Sequence, residues 1–164
     1  MKKWLFLLLS PLMASCPGQE NMEEMLDLYN KESVPYIQVS ELVKDDAFML
    51  LDTRESEEYK VSHLKNALWV GYDQFDINKF STNYPDKNAS YVVYCSIGVR
   101  SEDIGEHLLE AGYKNVQNLY GGIFEWKNKG FPVVDSKEDQ TEKVHAYSKY
   151  WGRLLTNAEK VYAP

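Results

Sequence analysis

Ser90-Tyr91-Val92-Val93-Tyr94-Cys95-Ser96-Ile97-Gly98-Val99-Arg100-Ser101 changes character at its cysteine. Before it, Tyr91, Val92, Val93 and Tyr94 form an unbroken run of aromatic and β-branched residues, which reads as a strand buried on both faces, as in a parallel sheet. After it, Ile104, Leu108 and Ala111 recur at helical spacing, with Ser101 as the expected N-cap and Gly112 where the helix should stop. Glu102 and Asp103 fall in the first turn and are expected to face solvent. Cys95 therefore stands between a strand end and a helix start. Open α/β sheets hold ligands there, and free backbone N–H groups together with the helix dipole favour negative charge.

The same alternation extends in both directions. Apolar runs at 36–39, 48–52, 67–70, 91–95 and 116–119 are each followed by a helical stretch, at 41–44, 55–60, 77–80, 102–111 and 122–129. Strand-then-helix units repeated in this way imply an α/β fold, a parallel sheet with helices on both faces. The chain of 164 residues, 44% hydrophobic, is long enough for one domain with a core of its own and too short for two comfortable ones.

The ends read differently. Lys2 and Lys3, the apolar run 4–9 and the small residues before Cys16 make 1–15 an export signal, too short to anchor in a bilayer. Leu12-Met13-Ala14-Ser15-Cys16 resembles the bacterial lipoprotein signal, which implies acylation of Cys16 and a lipid-anchored protein in the cell envelope, facing the periplasm. An ordinary secretory peptide is the alternative. Residues 16–35 read as a tether or a short N-terminal helix, with Met22, Met25, Leu26 and Tyr29 at helical spacing. At the other end, 135–142 reads as a charged linker. Val144, Tyr147, Trp151, Leu154 and Ala158 then mark one face of a C-terminal amphipathic helix, to cover the domain's own core or a partner.

Composition narrows the chemistry. Asp and Glu outnumber Lys and Arg by 25 to 18 with no basic patch, which argues against nucleic acid. Two cysteines make no disulfide scaffold, and three scattered histidines make no metal site. Within the central loop, Gly98 supplies backbone freedom around the sulfur and Arg100 can fork onto an oxyanion. A cysteine is a nucleophile only as thiolate, and loop amides, a helix N-terminus and Arg100 all favour that form. The competing reading of Cys95 is an inert buried core cysteine. Asp52 and Arg54 leave a strand at the same end of the sheet as Cys95. They are read either as substrate contacts or as a structural ion pair or cap with Glu58.

Three motifs in order separate these readings. Cys95-Ser96-Ile97-Gly98-Val99-Arg100 resembles the active loop of the rhodanese-like family, a cysteine followed by four residues and an arginine. Leu51-Asp52-Thr53-Arg54, Glu58-Tyr59 and Ser62-His63-Leu64-Lys65-Asn66-Ala67 are similar to its first signature, with Ser62 and Asn66 where the family has glycine. Leu119-Tyr120-Gly121-Gly122-Ile123-Phe124-Glu125-Trp126, then Gly130 and Pro132, are similar to its closing signature. The resemblance covers 36–134. It implies a three-layer α/β/α domain with a five-stranded parallel sheet, and a sulfurtransferase without a cofactor. Cys95 would carry the sulfur and Arg100 would hold the donor. Ser96, Ile97, Gly98, Val99, Ser101 and Arg54 would contact substrate. The expected partners are a small anionic sulfur donor such as thiosulfate and a thiol or cyanide acceptor, served by a monomer. The alternative is a persulfide carrier, sensor or binding module without turnover. Four loop residues are one fewer than in the family's cell-cycle phosphatase relatives, which favours sulfur over phosphate.

Overall fold

The computed structural model describes residues 21–162. Residues 1–15, read above as an export signal, together with Cys16 and the first residues of the segment 16–35, lie outside the described residues. The first element is a helix, α1 (Met22–Tyr29). Asn21 caps it by accepting from the Glu24 N–H, Glu24 reaches back to the Asn21 N–H, and Met25 and Leu26 are buried beneath it. Of the residues described in 16–35, Met22–Tyr29 are helical and 30–35 are not.

Strands β1 (Tyr36–Ile37), β2 (Met49–Asp52), β3 (Leu68–Trp69), β4 (Ser90–Tyr94) and β5 (Asn115–Leu119) form the main sheet. Their order is β1-β5-β4-β2-β3 and every pair is parallel. The connections are helical, through α2 (Val39–Leu42), α3 (Ser56–Val61), α4 (Ile77–Asn83) and α5 (Val99–Glu110), with α6 (Gly122–Asn128) after β5. Strand β4 is central, so its alternate side chains enter opposite cores. Val92 and Tyr94 join Ile37, Leu119, Ile123 and Phe124 on one face. Tyr91 and Val93 join Leu51, Phe80, Ile104 and Leu108 on the other. The α/β fold with a five-stranded parallel sheet and helices on both faces is the one read from the sequence.

One local expectation is corrected. Helix α5 begins at Val99, not after Ser101, because Gly98 takes φ +114° and ends the loop in a left-handed turn that glycine accepts without strain. Asn66, where the family has glycine, also has positive φ, +64°, a conformation asparagine tolerates better than most residues.

The C-terminal region departs most. The expected linker is partly strand, with Val133–Val134 (β6) pairing antiparallel with Gln140–Thr141 (β7), and in place of an amphipathic helix Lys143–His145 (β8) pairs parallel with Glu159–Val161 (β9), with a short 3-10 turn at Trp151–Leu154 between them. Backbone groups that a helix would satisfy internally are met elsewhere: Ala146 N–H donates to the Val161 carbonyl, and Asn128 Oδ1 accepts from the Thr156 and Asn157 N–H groups. Tyr147 at φ +61° interrupts any helical path. Val144, Ala146 and Leu155 are fully buried, so the segment does cover the domain's core, but as strand and turn. No helix among the described residues is long and apolar enough to cross a membrane.

Candidate active site

The loop after β4 is held from below by the element that follows β5. The first amides of α6 donate to it, Ile123 N–H to the Cys95 carbonyl at 3.0 Å and Phe124 N–H to the Ser96 carbonyl at 3.1 Å. This close approach explains the double glycine. Gly122 has φ +53°, and a Cβ at that position would run into the Cys95 carbonyl oxygen. From above, the Gly98 carbonyl accepts from Asn118 Nδ2 on β5 at 2.8 Å and from Asn30 Nδ2, just past α1, at 3.0 Å. Glu102 is buried, against the expectation that it faces solvent. Its carboxylate accepts from the Lys31 and Ser33 N–H groups at 2.8 and 2.9 Å, tying the chain before β1 to α5. The loop is thus braced on one side by backbone amides and on the other by side chains.

Within it, the Gly98 N–H donates to Cys95 Sγ at 3.1 Å. Cys95, buried itself, lines a cavity of about 190 Å³ together with Ser96, Ile97, Val99, Arg100, Tyr147 and Trp151. Arg100 leans back across its rim. Its two terminal nitrogens donate to Glu58 on α3 at 2.7 and 2.9 Å, and one of them also donates to Ser96 Oγ at 3.1 Å. The Tyr147 ring covers the guanidinium, 4.9 Å from its centre. Burial works against the Glu58 charge, but the hydrogen bonds and attraction of Arg100, with Arg54 nearby, outweigh it and hold this carboxyl below its ordinary value. His145 Nδ1 lies 4.0 Å from Glu58 and accepts from the Tyr147 N–H at 3.2 Å; burial keeps the imidazole below its ordinary pKa despite Glu58, in keeping with a neutral acceptor.

Cys95, Ser96, Ile97, Val99 and Arg100 line one cavity, and Gly98 meets the sulfur through its amide. Ser101 and Arg54 do not join them. Ser101 points away, donating to Asn118 Oδ1 at 2.7 Å. Arg54 has no exposed surface; it clamps Asp52 at 2.6 Å, donates to the Ser62 carbonyl at 2.6 Å and lies over the Tyr94 ring. Of the two readings of Arg54, the structure supports the ion pair, with Asp52 alone, because Glu58 is taken by Arg100. Glu58, His145, Tyr147 and Trp151 are site residues that sequence reading missed. The only signal was the Glu58-Tyr59 match, whereas nothing in the tail marked its approach to the loop. His63 stacks on Tyr59, ring centres 3.8 Å apart, inside its own turn. No group of acidic, histidine or cysteine side chains among the described residues could hold a metal ion.

Known proteins resemble this chain in sequence and fold. The family model described as the rhodanese-like domain matches residues 37–129. A thiosulfate sulfurtransferase GlpE of Coxiella burnetii is 31% identical over 96 residues, which cover 58% of this chain and 87% of that protein. A tRNA uridine(34) hydroxylase of Hamiltonella defensa subsp. Acyrthosiphon pisum is 36% identical over 108 residues, but the match spans only 29% of its length. Among solved structures, a rhodanese-related protein of Thermoplasma volcanium has a TM-score of 0.54 at 27% identity and covers 61% of this chain and 97% of its own. A thiosulfate sulfurtransferase of Pseudomonas aeruginosa shares the fold, with a TM-score of 0.58 at 22% identity, over 70% of this chain and 23% of that one. The chain belongs to the rhodanese-like domain family.

Proposed function

We propose that this chain is a sulfurtransferase that carries sulfur on Cys95. The observation that carries the reading is a cysteine lining a cavity with a loop amide already directed at its sulfur. In the proposed first step, the Cys95 thiolate attacks the outer sulfur of thiosulfate. A sulfur–sulfur bond forms, the bond to the sulfonate breaks, and sulfite leaves with its electron pair beside Arg100. The loop amides then steady the anionic persulfide as an oxyanion hole steadies an alkoxide. A thiol or cyanide removes the outer sulfur and Cys95 departs as thiolate. With no second cysteine among the described residues, the acceptor comes from outside the domain.

A second reading has support in the site. Arg100 is already engaged by Glu58, so a small anion finds a guanidinium that is partly neutralised, as suits a persulfide carrier or sensor that loads without rapid turnover. Intact mass separates these readings from an inert cysteine. After thiosulfate the parent gains the mass of one sulfur, cyanide removes it, and Cys95→Ser gains nothing. A parent that never gains sulfur overturns both. Loading followed by multiple turnovers selects the enzyme, and loading without them the carrier. Export and a lipid anchor at Cys16 complete the proposal, on sequence grounds. A Cys16→Ser chain that stays in the membrane fraction after a salt wash counts against the anchor.

A further inference from the structure

The loop that holds Cys95 belongs to the matched residues 37–129, but two walls of the cavity do not. Tyr147 and Trp151 come from the C-terminal segment, and this segment is firmly moored. Val144 and Ala146 beneath it have no exposed surface. The Trp151 ring meets Tyr29 of α1 edge-on at 5.2 Å, and the Tyr150 hydroxyl reaches Met25 Sδ at 3.8 Å. Gly152 is confined as well, since a Cβ there would come within 2.9 Å of the Tyr162 hydroxyl. Tyr147 is held in a left-handed conformation that non-glycine residues avoid, with its amide tied to His145 and its ring on Arg100.

The result is a small cavity with apolar sides. Ile97, Val99, Tyr147 and Trp151 provide the walls, and the one charged residue lining it, Arg100, has both terminal nitrogens on Glu58 and its face under Tyr147. A carboxylate entering with a thiol would lose water and find among the lining residues only Arg100, a cation already partly neutralised by Glu58 and needed for the sulfur donor. An aromatic or alkyl group would bury its surface against two rings. Size restricts the choice further. At about 190 Å³ the cavity is smaller than the usual pocket for a drug-sized ligand, so it suits a group no larger than a benzyl thiol.

We propose that Tyr147 and Trp151 determine acceptor specificity, and that the acceptor is a small, uncharged aryl or alkyl thiol. This rests on the sulfurtransfer reading above. In the step, the acceptor sulfur bonds to the outer sulfur of the Cys95 persulfide while the bond to Cys95 Sγ breaks. Cys95 leaves as thiolate, and the acceptor's proton ends on the product, R–S–SH. No oxidant or reductant is consumed.

The test loads full-length protein with thiosulfate, verifies the added sulfur by mass, and measures single-turnover discharge by benzyl mercaptan, 3-mercaptopropionate and cyanide, with thiol rates expressed per thiolate. Benzyl mercaptan is expected to exceed 3-mercaptopropionate at least tenfold. In Tyr147→Ala and in Trp151→Ala the ratio of benzyl mercaptan to cyanide rates is expected to fall about tenfold, and Trp151→Phe should restore most of it. Should Tyr147→Ala lose its cooperative melt, Trp151→Ala with its Phe rescue carries the same test. A ratio within twofold of the parent in the folded variants, or equal use of the charged thiol, overturns the assignment while leaving sulfur loading intact. A parent that never loads overturns the sulfurtransfer reading itself, and this specificity with it.

Discussion

Arg54 and Arg100 follow the ends of neighbouring parallel strands, and each forks onto a carboxylate, yet only one lines the cavity. Arg54 and Asp52 are both completely enclosed, two residues apart in sequence. Arg100 and Glu58 are joined across 42 residues, and the arginine keeps 17% of its side-chain surface exposed. The difference is in what surrounds each guanidinium. Around Arg54 the Ser62 carbonyl and the Tyr94 ring close the space, while above Arg100 there is a cavity and the ring of Tyr147. An arginine paired with a carboxylate is therefore no sign of a functional site by itself. Exposure of the pair to a cavity makes the distinction, and that depends on segments far along the chain.

Arg54→Ala leaves the Asp52 carboxylate buried without its cation, so the domain is expected to lose about 3–5 kcal/mol in urea unfolding, a large part of what such a domain has. Sulfur loading per folded molecule should change little. Replacing both partners, with Asp52→Leu and Arg54→Met together, should recover most of the loss, because the cost lies in the stranded charge. A single-variant loss below about 1 kcal/mol would make the two arginines energetically alike, against the enclosure seen for Arg54.

Arg100→Ala should invert the pattern. Thiosulfate loading is expected to slow by the equivalent of about 1.5–3 kcal/mol, the worth of one charge-assisted contact. Stability should fall less than for Arg54→Ala, since the Glu58 carboxylate retains Ser96 Oγ and the Glu55 N–H as donors. Stopped-flow loading and urea curves on the same preparations check both halves. Undiminished loading would separate Arg100 from donor binding and favour the carrier reading.

The smallest expected effect is on the pH dependence of stability. The Glu58 carboxyl is held below its ordinary value of 4.5 in the folded protein. The unfolded chain thus binds this proton more readily, and the stabilisation is complete above about pH 4.5 and lost as pH falls through the folded value. Glu58→Gln should therefore flatten the acid limb of the stability profile and leave its shape near neutrality unaltered. An acid limb as steep as the parent's would assign that pH dependence to other carboxyls.

Periodicity and residue type were sufficient for the sheet. The run 91–94, apolar at every position, requires two covered faces, and the strand-helix alternation around it admits few topologies other than a parallel one. The place of Cys95, one residue past β4, followed from the same local pattern. These features are determined by the sequence because they depend on neighbours a few residues away and on burial that every strand of this kind needs. Tertiary structure alone decided the rest. Ser101 and Arg54 sit beside the right motifs but turn into buried partners, Asn118 and Asp52. The 144–158 stripe satisfies helical spacing, yet the β9 ladder, the Asn128 side chain and the crowding at Gly152 favour strand and turn. With that choice Tyr147 and Trp151 become walls of the cavity, more than 45 residues beyond Arg100. No local pattern encodes such a placement, because its energy comes from contacts between distant segments that exist only once the chain has packed.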